Sequence, residues 1–113
     1  MKNKHKTLQG IIKLWCFTKW ENCDIICADE SSIHSADVIA VVGNNKIGFI
    51  FTIGKTTDFI KQQIINCRKM CNKIYLIANF ADINAIHKSK SDIGLLNVSN
   101  KYGLGNIIEE LQF

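Results

Sequence analysis

No stretch of this chain stays apolar for the roughly 18 residues that a membrane-spanning helix needs. The N-terminal segment opens on basic residues as a secretory signal would, but Lys13 and Lys19 break its apolar part, so neither a leader nor a membrane anchor is expected. Proline is absent altogether. Beside the abundance of Ile, Asn and Lys, that absence has the cast of AT-rich coding sequence and excludes no fold. There is no block of like charge of the kind that marks a disordered tail, and no internal repeat, linker or low-complexity tract. The C-x2-C spacing of zinc ribbons is also missing. Cys23/Cys27 and Cys67/Cys71 are both C-x3-C, and no His stands at a matching distance, which excludes a ribbon-type zinc site.

Five cysteines, an odd number, without a leader imply reduced thiols and a cytoplasmic protein. Cys67 and Cys71 would share one helix face, where buried thiols act as small hydrophobes. At 113 residues, with 47% hydrophobic and 21% charged residues, the chain is the size of one globular core, and residues 1–113 are taken as a single domain. Its net charge of +4 is unevenly placed. Lys2, Lys4, Lys6, Lys13 and Lys19 precede the first acid, Glu21, while Lys55, Lys61, Arg68, Lys69 and Lys73 surround a single Asp58. Two basic zones suit an anionic partner such as nucleic acid; equally, they suit solubility alone.

The apolar periodicity predicts a helix over 6–20, with Leu8, Ile11, Ile12, Leu14, Trp15 and Phe17 on its buried side and Trp15 and Trp20 as core aromatics rather than base-stacking platforms. Residues 25–28 form a short edge or second-layer strand. The organising stretch is 36–78. Residues 36–42 and 47–53 read as strands of a hairpin closed by Gly43-Asn44-Asn45, followed by a helix over 56–71 that opens on capping hydroxyls with Asp58 in its first turn, and by a strand over 74–78. Farther on, a turn of helix near 81–86, a strand over 93–98 and a terminal helix over 106–111 complete the order αβββαββα. This predicts an α/β fold: a central mixed sheet of about four to five strands flanked by helices, with the strands on either side of the helical crossover parallel.

Asp37 is the anomaly, a carboxylate at the mouth of an apolar strand, where it must be ion-paired, capped or bound to a metal. His34 reads as its surface neighbour.

Over roughly residues 21–100, His34-Ser35-Ala36-Asp37-Val38, Asp58-Phe59, Cys71-Asn72-Lys73 and Gly94-Leu95-Leu96 stand in an order and spacing that resembles the PD-(D/E)XK nuclease-like superfamily, and within it the MmcB-type bacterial DNA-repair proteins. The resemblance implies a restriction-endonuclease-like fold. In that superfamily's metal-dependent members an Asp and the Glu of a Glu-x-Lys strand hold a divalent cation, Mg2+ or Mn2+, and the Lys orients the attacking water. Counting back from Asp58-Phe59, the Glu and Lys positions fall here on Phe51 and Ile53, which can neither bind metal nor move a proton. Asp37 is left as the metal ligand if a site persists, and Lys55 as a displaced catalytic cation; Glu21 or Glu30 could supply a second acid only if its loop folds back. What the resemblance implies is therefore a degenerate module, without a cofactor, that binds DNA non-specifically through Lys55, Lys61, Arg68 and Lys69, or binds a repair protein. The alternatives are a weak metal-dependent nuclease built on Asp37, Lys55 and a relocated acid, and a small protein-interaction domain with no nucleic-acid role.

Overall fold

In the computed structural model, residues 2–27, 36–52, 55–78, 93–99 and 107–111 are described. They form two helices and six strands: α1 (Lys2–Lys19), β1 (Asp24–Cys27), β2 (Val38–Val42), β3 (Asn45–Phe51), α2 (Thr57–Arg68), β4 (Lys73–Ala78), β5 (Gly94–Ser99) and β6 (Ile107–Leu111). No helix among the described residues is long and apolar enough to cross a membrane.

The strands make one mixed sheet in sequence order, β1 to β6. β1, β2 and β3 form an antiparallel meander, β3 and β4 are parallel across α2, β5 is parallel to β4, and β6 returns antiparallel. Val42 pairs with Asn45, so the hairpin loop is Gly43-Asn44, and Gly43 takes the left-handed φ of 62° that a side chain would disfavour.

Strand alternation divides the core between the two faces. On one, α1 lays Leu8, Ile12 and Cys16 over Val38, Ala40, Ile47, Phe49, Phe51, Tyr75, Ile77 and Leu96. On the other, Ile60, Ile64 and Cys67 of α2 cover Ala36, Ile39, Ile50, Ile74, Leu76 and Leu95. The aromatics fall as the sequence suggests: Trp15 packs edge-on to Trp20, Phe49 and Tyr75, and Phe49 stacks on Tyr75 with centroids 5.4 Å apart.

Four expectations are corrected. Leu14 and Phe17, expected on the buried side of the first helix, are exposed. The terminal helix over 106–111 is a strand at 107–111, which makes six strands rather than four to five and changes the order to αβββαβββ. Its apolar positions 107, 108 and 111 fit one helical turn, but five residues are too few to sustain a helix in water, and the exposed edge of β5 offers a full ladder from Leu95↔Leu111 to Ser99↔Ile107. The second helix ends at Arg68 rather than Cys71, where the Lys69 N–H donates to the Asn66 carbonyl and the Met70 and Cys71 N–H groups to that of Cys67. The first begins at Lys2 rather than Lys6, because the lysine-rich start has helix propensity without an apolar face to reveal it. The helical turn expected at 81–86 lies outside the described residues.

Candidate functional site

The polar centre of the molecule lies where β2 begins, β3 ends and α2 starts. Asp37 precedes β2 and is fully buried. Its backbone is fixed on both sides: its N–H donates to the Phe49 carbonyl at 2.9 Å, and Gln9 Nε2 of α1 donates to its carbonyl at 3.2 Å. The side chain is held through one oxygen. Oδ2 accepts from the Phe51 N–H at 2.7 Å and from Lys55 Nζ at 2.7 Å. Oδ1 is buried with no hydrogen-bond partner among the described residues, so the carboxylate depends on Lys55 to offset its desolvation.

Lys55 reaches this position because it lies between the end of β3 and the α2 N-cap, Thr56, whose Oγ1 accepts from the Phe59 N–H at 3.2 Å. Its ammonium also donates to Gln63 Oε1 at 2.8 Å. Burial pushes the Lys55 pKa below its usual value, and the charge of Asp37 and its hydrogen bond act in the opposite direction. Thr52, at the end of the same strand, is tied down as its hydroxyl donates to the Ile77 carbonyl at 3.0 Å.

Of the residues singled out in the sequence, the fold joins Asp37 to Lys55. The Phe51 side chain lies in the cluster beneath α1, on the face of the sheet opposite Gln63, and what it offers Asp37 is its backbone N–H. The β3 positions that share the α2 face are Lys46, Gly48 and Ile50, so β3 offers no carboxylate on either face. Ile53, Glu30 and His34 lie outside the described residues. Glu21 lines an open groove with Phe17, Asn22, Asp24, Val41 and Gly43, at the opposite end of β2 from Asp37. Lys61 and Arg68, seven residues apart and both exposed, share a stripe beside the buried face of α2. Arg68 and Lys69 sit at its far end, about 18 Å from its start for 12 residues at 1.5 Å each.

Two participants were not singled out in the sequence. Gln63 is 1% exposed, and the signal for it was a polar residue at position 63 on the 60/64/67 apolar stripe. Lys46 joins the basic group because Asn72 ties the starts of β3 and β4 together, accepting from the Lys46 N–H at 2.9 Å and donating its own N–H to the Lys46 carbonyl at 2.8 Å. Lys46, Arg68, Lys69 and Lys73 thus gather at one end of the sheet.

A divalent metal does not fit this donor set. Asp37 offers one carboxylate whose bound oxygen already faces a cation, and hard divalent ions need several oxygens. Among the described residues no three His, Cys, Asp or Glu side chains converge on a common point. The chain matches no family model, no curated protein and no solved structure.

Proposed function

We propose that this chain is a non-cleaving module on a restriction-endonuclease-like core, which binds DNA without sequence preference through the outer face and C-terminal end of α2. The observation that carries the reading is the 2.7 Å contact between Lys55 Nζ and Asp37 Oδ2: an ammonium from the chain itself occupies the place beside the carboxylate where a catalytic cation would have to bind. Further support comes from the antiparallel β1–β3 meander followed by a helical crossover to a parallel β4, the core order that the sequence resemblance implies.

Lys55 is engaged internally, so the phosphate contacts pass to Lys61, Arg68 and Lys69, with Lys46 and Lys73 extending the basic end. Each phosphate neutralised on duplex DNA steepens the salt dependence by about 0.9 in log–log slope. Lys61→Glu combined with Arg68→Glu, measured by fluorescence anisotropy on unrelated duplexes, should weaken binding alike on all of them and flatten the slope by about 2. A parent without DNA affinity at low salt overturns the reading in favour of a protein-interaction domain. Mg2+-dependent cutting by the parent, abolished by Asp37→Ala, would instead make it a nuclease.

A further inference from the structure

On the α2 face, at the far end from Asp37, two thiols meet over a glycine. Cys67 is fully buried; Cys71, one turn on, is half-buried, and its N–H donates to the Cys67 carbonyl at 2.9 Å. Both sulfurs crowd the bare Cα of Gly48 in mid-β3: a Cβ there would overlap Cys67 Sγ and lie 3.2 Å from Cys71 Sγ. We propose that Cys67 and Cys71 form a two-coordinate site for a soft monovalent cation of the Cu+ class, held as a bis-thiolate above Gly48.

The two sulfurs crowd the same spot, so one monovalent ion can bridge them: it displaces both thiol protons and leaves S–M–S with one net negative charge, within electrostatic reach of Lys46.

Geometry selects the ion over a disulfide. Cβ atoms one helical turn apart are about 5–6 Å from each other, beyond the roughly 3.5–4.5 Å that a disulfide spans. Two metal–sulfur bonds of roughly 2.3 Å bridge the gap without unwinding the turn. Soft thiolates select Cu(I) among biological ions. With no third His, Cys, Asp or Glu converging among the described residues, an ion content with two ligands suits the site better than tetrahedral zinc.

The test is an anaerobic titration of the full chain with Cu+ delivered from a coloured Cu(I) chelator, reading the chelator's absorbance and the released protons. One equivalent should pass to the parent and to Cys23→Ser, and none to Cys71→Ser. Cys67→Ala should lose it too, but Cys71→Ser decides, since Cys71 is half-exposed and its replacement leaves the core intact. Failure of the parent to take Cu+ from the chelator, or undiminished uptake by Cys71→Ser, overturns the proposal. So does loss of uptake in Cys23→Ser alone.

Discussion

The two faces of the sheet are built from alternate residues of the same strands, yet they are made for different work. Beneath α1 the side chains are large and apolar: Phe49, Phe51, Tyr75 and Ile77 interlock with Ile12 and Trp15, and Lys19 Nζ lies 4.7 Å from the Trp15 ring centroid. Beneath α2 the same strands present Ile39, Ile50, Ile74 and Leu76, Gly48 leaves a space that thiols take, and a buried carboxylate, lysine and glutamine close the end of the layer. Aromatic burial and stacking stabilise the first face. The second carries the desolvation costs of Asp37, Lys55 and Gln63, offset by the contacts among them.

The widest separation between the faces should appear in Phe49→Ala. Emptying the fully buried Phe49 position should cost about 3–5 kcal/mol, much of the roughly 5–15 kcal/mol available to a domain, as measured by urea unfolding. A cost below about 1 kcal/mol would end the claim that the α1 face carries the stability.

On the α2 face the corresponding test is electrostatic. Lys55→Met strands a buried carboxylate with one backbone donor, and should cost roughly 3 kcal/mol, the lower end of the range for breaking a buried pair, because the Lys55 side chain keeps 15% exposure. Adding Asp37→Leu removes the stranded charge and should restore most of that loss. If the double variant is as unstable as the two single losses added together, the two groups are not coupled and the contrast between the faces disappears.

Much of the architecture was legible because it rests on local chemistry. The hairpin followed from Gly43-Asn44-Asn45 between β-branched runs, although Asn45 proved to be the first residue of β3, α2 from Thr56 and Asp58, and the parallel β3–β4 pair from a single helical crossover. The end of the chain was not legible: Ile107-Ile108-Glu109-Glu110-Leu111 suits either period, and only the free edge of β5 decides. In the site, Asp37 announced itself by its cost. Its partner did not, since residue 55 could as well have been a solvated loop lysine, and only the turn from β3 into α2 aims Nζ at Oδ2.

The subtlest expected difference is in how the two faces respond to alkali. On the α1 face, burial lifts the Cys16 thiol from 9.0 to about 12, with Cys23 adding to the rise and Lys19 opposing it. The folded state then holds a proton that the unfolded chain has lost, and this contribution is full below pH 9 and is lost as pH climbs from 9 toward 12. On the α2 face burial lowers Lys55 from its usual 10.5, so the unfolded chain binds the extra proton. That contribution is full above pH 10.5 and is lost as pH falls toward the lowered folded value. Just below pH 10.5 the two slopes oppose each other, neither exceeding about 1.4 kcal/mol per pH unit for one proton. Stability measured by urea unfolding across this window should therefore rise more steeply with pH in Cys16→Ala than in the parent, and less steeply in Lys55→Met. The same slope in all three proteins would mean that neither group is desolvated as the packing of its face requires.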